Sequence, residues 1–238
     1  MIEIRINEAI FKEYPAFRRG IVVATQMNNN GVASELDNML QEAVKEANLR
    51  SLDLSKDYRI TAWNEAHLQF GSNPNRFPPA HLALCKRVQK PGVRLGFINK
   101  VVAVMNYNSI VDVIPVGGDD LFCAGNRLEL CKATGNETFV PLNSPDGIEH
   151  PDLGEIIYVA VEAGEVMCRR WNWRNSFKTR ITDSTSSMVM NIDGLGENSE
   201  GRVILTRDRV AKMLEKFCKA QITTTLLTPT QPIYQFSI

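Results

Sequence analysis

The spacing of apolar residues changes at Ile98, and that change limits the fold more than any composition figure does. Before it, the chain is spaced mainly for helices. GIVVAT (Gly20–Thr25) is a short run of the buried-strand kind. After the Asn28–Gly31 turn, Leu36, Met39, Leu40, Ala43, Val44 and Ala47 recur at helical intervals from Ser34, which stands at the N-cap position. A second helix is expected over Thr61–Phe70, broken by the prolines of SNPNRFPP. A third, over Ala80–Val88, stops before Pro91-Gly92.

From Ile98 the runs become short and β-like, separated by Gly, Asn and Asp: VVAVM, RLELCKA, EIIYVAVEA, VMCRRW and SMVMNI. A closing helix, Arg207–Ala220, carries Val210, Met213, Leu214 and Phe217 on one face. The Thr- and Pro-rich tail after Gln221 reads as extended, on the surface or paired at a sheet edge. Helices first, a β-rich middle and a last helix specify an α+β fold. We read the 238 residues as one domain: an N-terminal strand-helix elaboration (1–74), a core (75–220) and an extended tail (221–238).

Charge is balanced, with 27 Lys+Arg against 27 Asp+Glu, so a polyanion has no global field to follow and must be met by a local patch. The stretch MIEIRINEAIFKEYP lacks the apolar run of a signal peptide, and no segment approaches the ~20 residues that span a bilayer. A cytoplasmic location away from membranes is expected. The cysteines (Cys85, Cys123, Cys131, Cys168, Cys218) are odd in number and never spaced C-x-x-C, which argues for reduced thiols over zinc or disulfides. His67, His81 and His150 are scattered, so the commonest general base has no evident partner. No P-loop, dinucleotide fingerprint or ligand cluster implies a cofactor or a metal.

Three stretches carry polar chemistry. In VAVMNYNSIVDVIPVGGDD, amides at Asn106 and Asn108 are followed by Gly117-Gly118-Asp119-Asp120. Bare backbone there can present N–H groups to a ligand, with Asp119 ordering a water or holding an ammonium group; the same letters also suit a tight turn. In Arg169-Arg170-Trp171-Asn172-Trp173-Arg174, cations alternate with aromatics, as suits RNA phosphates and stacked bases; on a strand, Arg169, Trp171 and Trp173 would share a face. Core tryptophans beside a solvated arginine edge explain the same letters and are the slightly favoured reading. Lys178, Arg180, Lys86, Arg87, Lys90 and Arg94 are candidates to extend a basic rim. The hydroxyls around Asp183, Thr185 among them, either close a turn or line a pocket mouth.

The segment Asn75–Gly196 resembles the B3/B4 editing module of the bacterial phenylalanyl-tRNA synthetase β-subunit, and more closely its free-standing relatives. The carriers are AHLALCKRVQKPG, INKVVAVMNYNSIVDVIPVGGDD, RLELCKATGNETFVPLN and GEVMCRRWNWRNSFKTRITDSTSSMVMNIDGLG. The resemblance implies a layered β/β/α fold with a barrel-like β core and packed helices. It also implies a pocket that hydrolyses a wrong aminoacyl ester on a tRNA 3′ end. The family's Thr-Asn-Tyr falls on Met105-Asn106-Tyr107, its histidine on Gly117 and its specificity glutamate on Asn191. Asn106 is kept, and the threonine, histidine and glutamate are replaced.

The expected site is thus Gly117, Gly118 and Asp119 for chemistry, Asn106, Tyr107, Asn191 and Thr185 for substrate, and Arg169, Arg170, Arg174 and Lys178 for RNA. Three functions fit these residues. One is an aminoacyl-tRNA deacylase acting in trans, with the aminoacylated tRNA 3′ end as partner. The others are a non-catalytic amino-acid or RNA-end binder and a small-molecule binder that reuses the pocket.

Overall fold

Strand β2 explains the layering from its own residues. In Arg18–Thr25 (RRGIVVAT), Val22 and Ala24 point one way while Arg19, Ile21 and Val23 point the other, and nearly all of them are buried. A strand covered on both faces needs two partners, and it has them. Val22 and Ala24 join a core with helices; Ile21 and Val23 join one with a second sheet.

The computed structural model describes residues 1–237. The first elements are β1 (Ile2–Ile6), α1 (Glu8–Glu13), β2, α2 (Ser34–Arg50), α3 (Tyr58–Gln69) and α4 (Ala80–Val88). The middle contains α5 (Lys100–Asp112), β3 (Val116–Asp120), α6 (Leu121–Ala124), β4 (Arg127–Lys132), β5 (Ile156–Ala160) and β6 (Glu165–Arg169). Then follow β7 (Arg174–Asn175), β8 (Met188–Gly194), α7 (Ser199–Cys218), β9 (Gln221–Leu227) and β10 (Ile233–Phe236).

The strands form two sheets, ordered β10-β1-β4-β5-β6-β7 and β3-β8-β2-β9. All pairings are antiparallel except β1 with β4. Helices α2, α5 and α7 cover one face of the four-stranded sheet through Leu36, Leu40, Val104, Val210 and Leu214. Its other face packs on the six-stranded sheet through Ile4, Leu130, Ile156, Met167 and Trp171. The expected α+β class and β/β/α layering hold. The barrel-like closure does not: β3, β9, β7 and β10 remain edge strands, and the chain merely crosses from one sheet to the other between β9 and β10.

Helix α7 lies unusually close to β2. A Cβ added to Gly20 would come within 2.8 Å of Val203 Cγ1, so the glycine permits the approach. An aromatic cluster seals the end of the inter-sheet core: Trp171 meets Trp63, Phe17 and Tyr14 edge-on at 5.1, 4.9 and 4.8 Å between ring centroids. Truncating a buried tryptophan of this kind costs about 3–5 kcal/mol.

Three local readings fail. The run VVAVM is the start of helix α5, capped by the Asn99 side chain on Val102 N at 2.9 Å. Gly117-Gly118 is extended strand, not a turn. The helices expected over Thr61–Phe70 and Arg207–Ala220 run Tyr58–Gln69 and Ser199–Cys218. Ala33, not Ser34, stands at the N-cap of α2, without a side-chain cap bond.

Candidate functional site

Strand alternation alone puts polar groups between the sheets. On β8, Met188, Met190 and Ile192 face the helices, which turns Val189, Asn191 and Asp193 toward the six-stranded sheet. Register brings Arg19 opposite Asp193, and Gly117 opposite Asn191. Gly117 leaves room: a Cβ built there meets nothing within 4 Å, whereas one on Gly118 would press Met188 Cε at 3.0 Å.

The result is a cavity of about 340 Å³ between β3 and β8 on one side and β5, β6 and the following turn on the other. Asn106, Gly117, Gly118, Asp119 and Asn191 all line it, with Arg174 among the residues of its wall. Tyr107 does not: it sits against the helical core with Arg209 near its ring, 6.0 Å from the centroid. Thr185 does not either. Its hydroxyl accepts from Thr182 N at 2.9 Å and closes the turn.

Asp119 is 3% exposed and accepts a hydrogen bond from the Thr179 hydroxyl at 2.7 Å. Burial raises its pKa to about 6, against the pull of Thr179 and Arg19. The carboxylate is therefore ionised near neutrality and more basic than an exposed aspartate. Cys168 also lines the cavity, but burial pushes its thiol's pKa upward and disqualifies it as a thiolate nucleophile.

Sequence reading passed over the floor of this cavity. Arg19, 2% exposed, forms a two-pronged pair with Asp193, Nε to Oδ1 at 2.7 Å and Nη2 to Oδ2 at 2.8 Å. Tyr158, Trp171 and Asn172 line the same space. His67 Nε2 lies 3.2 Å from Asn172 Oδ1 and holds that amide in place. Burial lowers the pKa of His67 to about 4, so the ring is neutral. The signal available was the alternation of RRGIVV and MVMNID, which put Arg19 and Asp193 on the inward face of each strand.

Five of these lining residues own a buried polar atom with no partner among the described residues: Arg19 Nη1, Tyr158 Oη, Trp171 Nε1, Asn172 Nδ2 and Asn191 Oδ1. One buried unsatisfied group costs about 1–3 kcal/mol, so these five atoms carry a desolvation cost that no hydrogen bond among the described residues offsets.

The arginine-tryptophan stretch is a turn between β6 and β7, not a strand. Arg170 and Trp171 both take left-handed backbone, φ 46° and 66°, so Arg169, Trp171 and Trp173 share no face. Trp171 is core. Arg169 is buried on Glu155 (Nη2–Oε2 2.7 Å) and Glu149 (2.9 Å), and Arg170 reaches Asp152 at 2.6 Å. Arg174 meets Glu149 at 3.4 Å, and exposed Lys178 pairs with Glu165. Each cation expected to hold RNA already has a carboxylate. Lys86, Arg87, Lys90 and Arg94 are exposed and have none among the described residues.

No metal-binding cluster occurs among the described residues, and no helix among them is long and apolar enough to cross a membrane. A family model described as the B3/4 domain matches residues 62–228. No curated protein sequence matches the chain significantly. Among solved structures, the chain is similar to an N-terminal fragment of the phenylalanyl-tRNA synthetase beta-subunit from Pyrococcus horikoshii, at 12% identity and a TM-score of 0.46. That match covers 92% of this chain and 49% of the fragment, so the chain spans about half the fragment's length.

Proposed function

The chain belongs to the B3/4 domain family, and from that premise we propose that its inter-sheet cavity receives the acyl group of an aminoacylated tRNA 3′ end and releases it by hydrolysis. One observation carries the reading. Asn106, the consecutive Gly117, Gly118 and Asp119, and the sequence-distant Asn191 line a single cavity.

Asp119 is the base. It takes a proton from a water that attacks the ester carbonyl; the new acyl C–O bond forms as the bond from the acyl carbon to the ribose oxygen breaks, and the proton passes to that leaving ribose oxygen. Its raised pKa suits that exchange near neutral pH. The Thr179 hydroxyl orients it. Asn106 and Asn191 hold the amino end of the acyl group, and unfilled space at Gly117 accommodates its side chain. Asn191 in place of the family's glutamate removes an anionic acceptor, so selectivity for a phenolic hydroxyl is not carried over.

RNA would approach along α4. Ala80, its first residue, is exposed and lines the cavity, and Lys86 and Arg87 stand in its last turn. The nine residues of α4 span ~13 Å, a reach of a few nucleotides, with Lys90 and Arg94 just beyond.

The test is a panel of mischarged tRNAs with the native chain and with Asp119→Asn and Asn106→Ala. At least one tRNA should be deacylated faster than in buffer, and Asp119→Asn should lower that rate by about 10²-fold or more. If no tRNA is deacylated above the buffer rate, the hydrolytic reading is lost. Binding without turnover is the second reading. The absence of histidine from the cavity lining and the raised thiol of Cys168 favour it. It predicts saturable binding of aminoacylated tRNA that Asn106→Ala weakens.

A further inference from the structure

Four strands end the two sheets, and three of them carry a safeguard against pairing with another chain. Strand β7 has only two residues, and β10 has four, directly behind Pro232. Strand β3 uses part of its outer edge, where Asp120 N bonds to Thr179 O at 2.9 Å. Strand β9 (QITTTLL) has none of these. Its seven residues include no charge, proline or glycine, and they pair one for one with β2 without a bulge. Sheet edges are normally blunted by lysine, proline, bulges or shortness, because their unpaired backbone groups otherwise template another strand.

The ladder identifies the unpaired groups. Asp193 N bonds to Pro115 O at 3.1 Å, so Asn191 and Asp193 of β8 turn their backbone groups toward β3, and Met190 and Ile192 turn theirs toward β2. Alternation carried across the register leaves Arg19, Ile21 and Val23 bonding to β9 through Leu227, Thr225 and Thr223. The N–H and C=O groups of Ile222, Thr224 and Leu226 then point away from the sheet, and no hydrogen bond reaches them among the described residues. Thr224 is exposed, while Ile222 and Leu226 are half-buried against the helical core.

About Thr224 the strand has the same pattern in both directions, Ile-Thr-Thr-Thr-Leu. A second copy laid antiparallel, Thr224 against Thr224, sets Ile222 beside the partner's Leu226 at both ends and Thr223 beside the partner's Thr225. Each free N–H then meets a free carbonyl. We propose that β9 pairs with β9 of a second copy about a twofold axis through Thr224, joining two four-stranded sheets into one. The strand offers no charge for a partner of opposite sign to recognise, and its symmetric pattern is matched by itself. The sheet order β3-β8-β2-β9 puts the cavity walled by β3 and β8 toward the opposite edge, so pairing leaves it open. One strand per copy is a small contact beside the ~1,200–2,000 Å² of stable complexes, which places the dimer in the micromolar range.

The experiment is sedimentation equilibrium of the full chain across the micromolar range, at low and at high salt. The native chain should pass from monomer to dimer, with a dissociation constant that salt changes by less than about threefold, because the paired strands carry no charge. Thr224→Lys sets two ammonium groups face to face on the axis, and Thr224→Pro removes an N–H that the fold itself leaves unbonded. Each should weaken the dimer by about tenfold or more. A native chain that stays monomeric at the highest concentration overturns the proposal, and so does a dissociation constant that salt shifts further than that; neither result depends on a variant folding. A dimer that both variants leave at native strength overturns it as well.

Discussion

The Arg169–Arg174 turn and the end of α4 with its following loop carry comparable density of positive charge and put it to different uses. In the turn, Glu155 is 2% exposed and accepts from Arg169 Nε at 3.0 Å, Arg169 Nη2 at 2.7 Å and Arg170 N at 2.9 Å. Asp152 and Glu149 neutralise the remainder. At the end of α4, Lys86, Arg87, Lys90 and Arg94 stand in solvent without carboxylates among the described residues. Cations of the first kind hold a loop in an otherwise strained left-handed path; cations of the second kind remain free for a polyanion. A count of arginines in sequence cannot separate the two, because the separating variable is where the carboxylates are.

The sharpest way to break this contrast is to remove the buried carboxylate. Glu155→Gln leaves two buried guanidinium groups short of their partner and should destabilise the fold by about 3–5 kcal/mol, read by chemical denaturation. A loss below about 1 kcal/mol would mean that the turn does not depend on its ion pairs. Reversing Lys86, Arg87 and Lys90 together to Glu should leave stability within about 0.5 kcal/mol. The same triple variant should lower tRNA affinity by about tenfold or more and flatten the salt dependence by roughly two units of slope, at ~0.7 for each single-strand phosphate no longer neutralised. If Arg174→Ala, which removes a half-buried and already paired cation, weakens tRNA as much as the triple variant does, the assignment of the two clusters is reversed.

How much of this was legible beforehand depends on how far apart the partners lie in sequence. The helices α2 and α4 followed from local spacing and breakers, and the convergence of Asn106, Gly117 and Asn191 followed from the family resemblance. Helix α5 did not. It packs against α2, α7 and the four-stranded sheet, so apolar residues occupy most of its surface and the 3.6-residue period disappears. Strand β1 went unread although I-E-I-R-I alternates, and nothing local announces its parallel pairing with β4, more than a hundred residues away. Arg19 reads locally as a charged flank ahead of GIVVAT; only register across 174 positions makes it the partner of Asp193. The same holds for Arg169 and Glu155, whose pairing sequence spacing does not announce.

A substitution inside the cavity sharpens the comparison from the other side. Gly117 lies in ordinary extended backbone with nothing within 4 Å of an added Cβ, so Gly117→Ala should fold normally. Gly117→His fills the space assigned to the acyl side chain and should lower deacylation by about tenfold or more. Since it touches neither cationic cluster, tRNA affinity should stay unchanged. A variant that binds tRNA differently without changing turnover would show that RNA contacts reach the cavity floor.

Both clusters rest on a buried neutral histidine, and acid should act on them together. His67 holds Asn172 of the turn, and His81 lies on α4 with Nε2 3.2 Å from Arg59 O. Burial lowers their pKa values to about 4 and about 3, against an ordinary histidine value near 6.5. Between those limits the unfolded chain binds protons that the folded chain refuses, so stability falls as pH drops below about 6.5. Asp119 works in the opposite direction. Its folded pKa of about 6 lies above the unfolded carboxylate's, so it binds a proton in the fold first and favours the fold on the acid side of that window. Two histidines outweigh one aspartate, so the melting temperature should fall from pH 7 to pH 5, by a few degrees or more. His67→Gln should make that slope shallower while keeping a hydrogen bond to Asn172, and Asp119→Asn should make it steeper. A profile that is flat from pH 7 to 5, or that rises toward acid, would show that neither histidine is held neutral beneath the two clusters.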